Sequence, residues 1–593
     1  MSAVDFTRVF DILTYQQQKY AQVSALNYSV DGKWEAYSVQ EIQQRANSIS
    51  AWLLNNGFQK GDTIAIIPRM GSPLWMMLDF GCQQVGVITV PLHPTSSSEE
   101  MEFILDEVQA KVCIAADVEL LNKVKTVFQH QHLYHLENSV DGFFPACQPE
   151  PVEGQTHTRF DKLSVTSAIE PTDTLCILYT SGTSGTPKGA VLTHQNIVSN
   201  IKSLLPLFPI NPGDKILSFL PFSHIFERTS CFAYMAFGAN IYFSQDLKNV
   251  NHDFRSVKPV FCTTVPKTLE RMYEILEEKR QQRKGYERLF VKWAMRVGEQ
   301  FKSDKRKDFL FGLKLFLART VVLNRWRKAL GGNLKYMVVG AAALRPEIGR
   351  LFSAAGVMTL SGYGMTEASP FIAVNRPEPG MNRFGTVGLP GPGVEIKLHN
   401  PNENGEGEIL VKGPNIMSGY FNRPELNSEV FTADGWFRTG DIGKMVNKRF
   451  LTITDRKKDI FKTSSGIYIA PQELESLLVS SPFISQAMVH GFNKPFVIAV
   501  LVPHFAVLQS WCDEQQIHWT SPTYMIHNIK VIQKFRAEID QLNGKLPNYK
   551  KIQKFVLSDS EWTTESGELT TSLKMIRTKL AEKYQSEIEK LYS

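Results

Sequence analysis

The chain has 593 residues and a formal net charge of +6, from 65 basic and 59 acidic residues. This length exceeds what one hydrophobic core usually organises, so we expect at least two domains. The hydrophobic fraction of 43% and the charged fraction of 21% exclude a disordered or fibrous chain, and so mild a charge argues against nucleic acid as the main partner while suiting anionic substrates or a lipid surface.

Strand-like and helix-like segments alternate from the N-terminal region onward. The run DTIAII (62–67) indicates a short buried strand, SPLWMMLDFGCQQVG (72–86) a helix, and VITVPLH (87–93) a second strand. Because strands separated by helices usually pair in parallel, this alternation predicts an α/β fold with largely parallel sheets.

The N-terminal segment and the cysteines indicate the cellular compartment of the protein. Asp5 and Asp11 interrupt the opening segment MSAVDFTRVFDIL, which therefore lacks the apolar core of a secretory signal. The seven cysteines stand singly, without a CxxC pair, and this pattern indicates buried thiols in a reducing compartment. We expect a cytoplasmic protein, and we leave open peripheral contact with the inner face of a membrane.

A segment rich in glycine and hydroxyl side chains, YTSGTSGTPKG (179–189), separates two apolar runs. It is typical of a phosphate-binding loop, because backbone N–H groups can approach phosphate oxygens there and a lysine adds positive charge. Its glycine spacing differs from that of GxxxxGK[ST]. A surface linker is the alternative, although linkers rarely separate two strand-like runs. The predicted phosphate-binding residues are Thr180, Ser181, Gly182, Thr183, Ser184, Gly185, Thr186 and Lys188.

The middle of the chain contains an amphipathic segment and a long apolar stretch. Apolar residues recur at helical spacing within 267–283, where core packing is the simplest function. A basic segment, 279–307, precedes the apolar stretch 309–326, which three cations interrupt. These cations argue against a membrane-spanning helix. A solvated helical face is favoured over a lipid-binding one, and contact with a membrane surface stays the alternative.

The composition of the chain changes near residue 455. The Gly-rich segment DGWFRTGDIG (434–443) lies before this point, and the residues after it are more charged. We therefore predict a large N-terminal domain over 1–454 and a smaller C-terminal domain over 455–593.

Six motifs follow one another along nearly the whole chain. They are YTSGTSGTPKG (179–189), LPFSHIFERT (220–229), YGMTE (363–367), DGWFRTGDIG (434–443), DRKKDIFKTSSGIYIAPQELE (455–475) and GELTTSLK (567–574). With them the sequence resembles the adenylate-forming superfamily of acyl-CoA synthetases, firefly luciferases and peptide-synthetase adenylation domains, and within it the long-chain fatty-acid branch. The resemblance implies a large composite domain that binds AMP and the acyl group, and a small, mobile α+β domain.

The resemblance also implies functions for individual residues of the first domain and of the ribose motif. These are Tyr363, Gly364, Gly340, Ala341 and Ala342 for the adenine, Thr366 and Glu367 for catalysis with Glu367 as a magnesium ligand, Asp441 and Arg456 for the ribose, and His224 and Phe226 for the acyl pocket. A carboxylate oxygen is a suitable ligand for Mg²⁺. Without the resemblance, Glu367 would be interpreted as a surface carboxylate, Asp441 as a turn former between glycines, and Phe226 as a core residue.

The C-terminal motifs are assigned to motion and to catalysis. The resemblance implies that Lys458 is the hinge about which the small domain swings, and that Gly466 helps to line a tunnel for coenzyme A. We expect Lys574 to begin a helix and to bridge the attacking carboxylate and the phosphate oxygens of ATP.

Together these assignments imply an ATP-dependent, AMP-forming fatty acyl-CoA synthetase that uses ATP, Mg²⁺ and coenzyme A. Three alternatives stay open: an acyl-AMP ligase that loads a carrier protein, a non-catalytic protein for fatty-acid binding or uptake, and a luciferase-type oxidase. The non-catalytic alternative is disfavoured because a decayed site would have lost some of Lys188, Glu367, Asp441, Arg456 and Lys574.

Overall fold

The computed structural model describes residues 5–128, 133–135, 166, 168–180, 186–281, 285–302, 309–464, 466–563, 566–570 and 574–593. The chain divides into two compact units. The first comprises Met1–Ile396, Val411–Phe437 and Val446–Leu451, and the second comprises Lys397–Leu410, Arg438–Met445 and Thr452–Ser593. The boundary predicted between residues 454 and 455 stays a prediction.

A seven-stranded sheet carries the phosphate-loop segment at one side. In sheet order its strands are Gly419–Tyr420, Lys188–Thr193, Thr174–Thr180, Ile88–Pro91, Thr63–Ile67, Val112–Ala115 and Leu133–His135. The last five strands pair in parallel, whereas the first three pair antiparallel. All five residues of Thr63–Ile67 are buried, as expected for a strand covered on both faces.

The strand–helix–strand unit predicted over 62–93 is confirmed. The helix Pro73–Gln84 joins the parallel strands Thr63–Ile67 and Ile88–Pro91. It begins at Ser72, whose hydroxyl accepts a hydrogen bond from the backbone N–H of Trp75 at 3.3 Å, and proline occupies its first turn. Both features favour a helix start at this position.

A nine-stranded sheet forms the second layer of strands in the first unit. In sheet order its strands are Leu389–Pro390, Phe371–Val374, Met358–Gly364, Tyr336–Val339, Phe261–Thr264, Lys215–Ser218, Asn240–Phe243, Leu26–Val30 and Lys33–Tyr37. The six central strands, from Met358–Gly364 to Leu26–Val30, pair in parallel, and antiparallel strands close each edge. This parallel-rich arrangement brings the carboxyl ends of several strands to one edge of the sheet.

Helices of the first unit surround these sheets. They are Asp11–Lys19, Val39–Asn55, Pro73–Gln84, Ser98–Glu107, Val118–Lys125, His194–Leu204, Ile225–Phe237, Val250–Val257, Pro266–Gln281, Tyr286–Glu299, Phe309–Ala318, Asn324–Ala329, Pro346–Ala354 and Pro424–Val430, with a 3₁₀ turn at Thr366–Ala368 and a π turn at Arg319–Leu323. The helix predicted over 267–283 is confirmed as Pro266–Gln281. Across the described residues, every helix is too short or too polar to cross a membrane.

A four-stranded sheet contains the ribose motif. In sheet order its strands are Glu395–His399, Gly407–Lys412, Phe437–Val446 and Phe450–Arg456. Asp441 lies in the middle of the ten-residue strand Phe437–Val446. The interpretation of Asp441 as a turn former between glycines is therefore wrong: although Gly440 takes a positive φ of 71°, the strand continues through Asp441.

The second unit has its own core. Its strands are Phe461–Lys462 paired with Tyr468–Ile469, and a three-stranded sheet of Ile484–His490, Val497–Pro503 and Ile552–Leu557. Its helices are Pro471–Leu478, Phe505–Glu514, Pro522–Met525, Ile529–Asn543, Arg577–Lys583 and Gln585–Tyr592, with a 3₁₀ turn at Asn548–Lys550. The predicted α/β class, with a smaller α+β part at the C-terminus, is confirmed. The six cysteines among the described residues are buried free thiols, as predicted.

Candidate active site

The phosphate-loop segment connects two antiparallel strands of the first unit. Thr180 ends the strand Thr174–Thr180 and pairs with Lys188, which begins the next strand. Thr186 is exposed and Lys188 is half-buried. The predicted residues Ser181, Gly182, Thr183, Ser184 and Gly185 lie outside the described residues. The segment therefore joins the two apolar strands that the sequence predicted on either side of it.

A tyrosine brings the phosphate-loop lysine together with the acidic residue of YGMTE. The strand Gly419–Tyr420 pairs with Ala190 and Val191, directly beside Lys188. The ammonium of Lys188 lies 5.9 Å from the ring centroid of Tyr420, within reach of a cation–π interaction. The hydroxyl of Tyr420 donates a hydrogen bond to Oε1 of Glu367 at 2.7 Å. Burial and the adjacent carboxylate raise the pKa of Tyr420, which keeps this hydroxyl a donor.

Glu367 offers one carboxylate, which is a hard oxygen ligand, to a metal ion. It lies with Thr366 in the 3₁₀ turn Thr366–Ala368, where Glu367 is 6% exposed and Thr366 is half-buried. Among the described residues, His, Cys, Asp and Glu side chains form no group of three that could hold a metal. Mg²⁺ is commonly bound by one or two carboxylates together with substrate phosphates. The one carboxylate of Glu367 therefore fits an ion that arrives with a triphosphate.

The residues predicted to contact adenine lie at the carboxyl ends of two adjacent parallel strands. Gly340, Ala341 and Ala342 directly follow the strand Tyr336–Val339, and Tyr363 and Gly364 end the neighbouring strand Met358–Gly364. This edge is where parallel α/β sheets usually bind their ligands. Ala341 is exposed and has a φ of +71°, a conformation rare for a non-glycine residue and often retained at functional sites.

Two glycines of this region lie close to other residues. A Cβ atom on Gly364 would lie 2.0 Å from the carbonyl oxygen of Pro370, and one on Gly340 would lie 3.1 Å from the ring of Phe226. The second contact joins two motifs that are more than a hundred residues apart, the small-residue loop and LPFSHIFERT. The structure therefore brings Phe226, predicted for the acyl pocket, against a loop predicted for adenine.

His224 precedes the helix Ile225–Phe237 and is half-buried. Its ring packs edge to face against His93, with the centroids 5.4 Å apart. Burial, together with the neighbouring His224 and Lys123, lowers the pKa of His93 to about 3. His93 therefore stays neutral at physiological pH, so this pair presents aromatic surface without a fixed charge on His93.

The helix after His224 is held by buried polar side chains. Glu227 is fully buried, and it accepts hydrogen bonds from the hydroxyls of Ser218 and Thr263. Burial raises the pKa of Glu227 to about 7. Arg228, also fully buried, pairs with Asp79 in the first unit. Since removing one partner of a buried pair leaves an uncompensated charge, these contacts fix the segment that carries His224 and Phe226.

In the second unit, the two residues predicted for the ribose are close together. The Nε of Arg456 lies 3.5 Å from Oδ1 of Asp441. Asp441 is 7% exposed, and its backbone N–H donates to the hydroxyl of Thr439. A buried carboxylate beside a guanidinium offers both acceptors and donors to a vicinal diol.

The predicted hinge and coenzyme A residues lie on nearby turns. Lys458 is exposed and follows the strand Phe450–Arg456. Gly466 has a φ of +85° and lies between the short strands Phe461–Lys462 and Tyr468–Ile469, where its N–H donates to the carbonyl of Thr463 at 2.9 Å. The positive φ explains why glycine is favoured at this position.

Lys574 is exposed and lies three residues before a helix rather than at its start. The backbone N–H of Thr570 donates to the carbonyl of Lys574 at 2.7 Å, and the N–H of Lys574 donates to the hydroxyl of Thr570 at 3.1 Å. The helix begins only at Arg577. The prediction that Lys574 begins the helix is wrong, because these bonds hold Lys574 against Thr570 and the bridge between Leu569 and Met575 holds the next residue in an extended pairing.

A group of ion pairs around Arg577, three residues after Lys574, was missed in the sequence. Arg577 forms two hydrogen bonds to Glu475, at 2.7 and 2.6 Å, and its Nε lies 3.7 Å from Asp459. Nearby, burial raises the pKa of Asp455 to about 6. Arg577 thus connects the segment that follows Lys574 with the segment of Lys458. Neither it nor Tyr420 is marked by a local pattern, because their partners are 102 and 53 residues away.

Comparison with known proteins assigns the family. Residues 13–421 match the family described as AMP-binding enzyme, and residues 458–593 match its C-terminal domain. The chain is 30% identical over 584 residues to long-chain-fatty-acid–CoA ligase FadD15 of Mycobacterium bovis, covering 95% of this chain and 93% of that protein. It is 28% identical to peroxisomal long chain acyl-CoA synthetase 7 of Arabidopsis thaliana, covering 99% of this chain and 85% of that protein.

Solved structures share the fold. The adenylation domain of a carboxylate reductase from Mycobacterium chelonae matches with a TM-score of 0.74 at 21% identity, covering 99% of this chain and 91% of that chain. O-succinylbenzoate coenzyme A synthetase from Bacillus subtilis in complex with AMP matches with a TM-score of 0.68 at 22% identity, covering 96% and 98%. Because the family match extends over more than half of its residues, the chain belongs to the AMP-binding enzyme family.

Proposed function

We propose that the chain is an ATP-dependent, AMP-forming acyl-CoA synthetase that activates a fatty acid, with long chains as the preferred class. The observation that carries this proposal is the convergence of Lys188, Tyr420 and Glu367 in the first unit. A cation, a hydroxyl donor and a buried carboxylate together suit a magnesium-bound triphosphate. The relatives named above, a long-chain-fatty-acid–CoA ligase and a long chain acyl-CoA synthetase, support the substrate class.

The first half-reaction forms an acyl-adenylate. A carboxylate oxygen of the fatty acid attacks the α-phosphorus of ATP, the bond between the α-phosphorus and the bridging oxygen breaks, and pyrophosphate leaves. We assign Lys188 to the β- and γ-phosphates, Glu367 with Thr366 to the magnesium that accompanies ATP, and Lys574 to the oxygens that gain charge. Catalysis here consists of positioning and charge neutralisation.

The nucleoside is assigned to the two strand ends and to the ribose pair. We assign the adenine to Tyr363 and the loop that begins at Gly340, and the ribose to Asp441 and Arg456. The arrangement of Tyr363 and Gly340 at the carboxyl ends of adjacent strands supports the first assignment. The 3.5 Å contact between Arg456 and Asp441 supports the second.

The second half-reaction transfers the acyl group. The thiol of coenzyme A loses its proton to solvent and its sulfur attacks the carbonyl carbon of the acyl-adenylate. The bond between that carbon and the phosphate oxygen breaks, a thioester bond forms, and AMP leaves. We propose that the second unit pivots about Lys458 between the half-reactions, that Lys574 then leaves the site, and that Gly466 approaches the pantetheine arm. We also propose peripheral contact with the inner face of a membrane, because exposed apolar and basic side chains lie together between Tyr286 and Lys328 of the first unit.

The test is release of AMP and pyrophosphate by the purified protein. Mg·ATP is supplied with fatty acids of graded length, with and without coenzyme A. We expect turnover that requires both the acid and coenzyme A and that is greatest with long chains. Pyrophosphate exchange without any thioester would favour the ligase that loads a carrier protein. Fatty-acid binding without AMP release would favour the non-catalytic alternative.

A further inference from the structure

Exposed apolar side chains are concentrated on two helices of the first unit. The helices Tyr286–Glu299 and Phe309–Ala318 contact each other. Among the described residues, nine of the twenty large apolar side chains that are exposed lie between Tyr286 and Val321. Single exposed hydrophobic residues are ordinary, whereas a concentration of this kind marks an interaction surface.

Six of these side chains form what we call the apolar face. They are Phe309, Leu310, Leu313, Phe316, Leu317 and Val321. Spacings of three and four residues place them along one side of the helix. Phe309 is 83% exposed and Phe316 is 65% exposed, while Leu315 and Ala318 are buried against the protein on the other side. A helix that is apolar on both sides requires a second apolar environment opposite the protein.

The apolar face is held in place by fixed packing. The π turn Arg319–Leu323 continues the helix, and Nε of Arg319 donates to the carbonyl of Ala354 at 2.6 Å. Leu323 and Trp326 belong to the buried cluster that includes Leu351. Because these contacts fix the orientation of the helix, burial of the apolar face against the rest of the first unit would require the cluster to be broken.

Positive charge is concentrated in the same part of the chain as the apolar face. The described residues of 286–302 and 309–328 contain nine Lys or Arg and two Glu, a net charge of +7, whereas the whole chain has +6. Seven of the nine cations are exposed. A basic, partly apolar helix surface is complementary to anionic lipid headgroups. The same charge would repel a second copy of the chain at a symmetric interface.

We propose that the apolar face docks the protein on the surface of an anionic membrane. The ten residues of Phe309–Ala318 extend about 15 Å, half of a hydrocarbon core of about 30 Å, so the helix lies along the interface. The apolar side chains enter the headgroup boundary, and cations such as Lys314 extend to the phosphates. Docking on the membrane does not require turnover. Docking would serve to collect a fatty acid from the membrane, and only this use rests on the proposed function.

The test is cosedimentation of the full chain with lipid vesicles, without ATP or fatty acid. We expect binding to phosphatidylcholine vesicles that contain about one-third phosphatidylserine, and binding at least about tenfold weaker to pure phosphatidylcholine or in high salt. Phe309→Ser/Phe316→Ser should lower the partition coefficient at least about tenfold. The matched control Phe492→Ser/Tyr524→Ser replaces two aromatic side chains that are also exposed, at 58% and 74%, and should bind as the unmodified chain does.

Three outcomes would overturn the proposal. The first is equal vesicle binding by the unmodified chain and by Phe309→Ser/Phe316→Ser, with both folded according to their thermal unfolding midpoints. The second is absence of vesicle binding by the unmodified chain. The third is an oligomer in lipid-free sedimentation that the double substitution dissociates, with no vesicle binding, which would assign the apolar face to a second copy. Because none of these measurements needs turnover, failure of docking is distinguishable from failure of the proposed function.

Discussion

Tyr420→Phe removes one hydroxyl from the candidate site and leaves the aromatic ring in place. The lost interaction is the 2.7 Å hydrogen bond to Glu367. The ring that lies 5.9 Å from the ammonium of Lys188 is retained, so the substitution tests the hydrogen bond alone. Since Glu367 is 6% exposed, water cannot readily replace the missing donor.

The size of the effect follows from the charge of the acceptor. A hydrogen bond to a charged group contributes about 1.5–3 kcal/mol. If the hydrogen bond stabilises the orientation of Glu367 only in the transition state, with Mg·ATP bound, loss of the bond corresponds to about a ten- to hundredfold decrease in the rate constant for adenylation. We expect the decrease in kcat/KM for Mg·ATP, whereas thioester formation from supplied acyl-AMP should change little.

The assay is fatty-acid-dependent exchange between ATP and pyrophosphate at varied Mg·ATP. Tyr28→Phe is the matched control, because the hydroxyl of Tyr28 donates to Glu35 at 2.9 Å on the edge strands of the nine-stranded sheet. It removes a tyrosine–glutamate hydrogen bond of similar length away from the candidate site. If Tyr420→Phe exchanges pyrophosphate as fast as Tyr28→Phe, the proposed function of Tyr420 in orienting Glu367 is refuted.

Three further predictions concern other parts of the chain. Lys574→Ala should lower adenylation by about three orders of magnitude, as expected for loss of a charge contact worth about 4 kcal/mol, but spare thioester formation from acyl-AMP; equal loss of both half-reactions would contradict its assignment. For Glu227, whose pKa is raised from 4.5 to about 7, the folded chain retains a proton that the unfolded chain releases, so the free energy of unfolding should fall by about 3 kcal/mol as pH rises from 4.5 to 7. Urea unfolding at several pH values should show that Glu227→Gln lacks this decrease. Gly364→Ala should lower the free energy of unfolding by about 1–3 kcal/mol through overpacking against Pro370, whereas Gly312→Ala, which meets no atom within 4 Å, should not.

Local patterns in the sequence were sufficient where neighbouring residues determine the structure. The alternation over 62–93 predicted a strand, a helix and a strand, and all three are observed. The apolar runs on either side of 179–189 predicted a segment between two strands, which Thr174–Thr180 and Lys188–Thr193 confirm. In both cases hydrophobic periodicity and turn-forming residues act over short distances, so the sequence contains the whole signal.

Local patterns failed where packing overrides a propensity. Glycines on both sides of Asp441 suggested a turn, but the strand Phe437–Val446 is held by pairing within a four-stranded sheet. We expected a helix to begin at Lys574, whereas the backbone bonds between Lys574 and Thr570 delay the helix to Arg577. Sheet pairing and backbone hydrogen bonds outside a helix depend on partner residues, and the helix or turn propensity of a short segment takes no account of those partners.

Arg577 joins two segments to which the sequence assigned separate functions. It lies three residues after Lys574, and it contacts Asp459, the residue after Lys458, as well as Glu475. A bidentate pair between an arginine and a carboxylate is geometrically restrictive, and Glu475 is itself fixed by accepting the backbone N–H of Val489 at 2.7 Å. The segment of Lys574 is therefore tied to the body of the second unit. If Lys574 leaves the site between the half-reactions, as we propose, the second unit has to move with it, and Lys458 stays the predicted pivot of that movement.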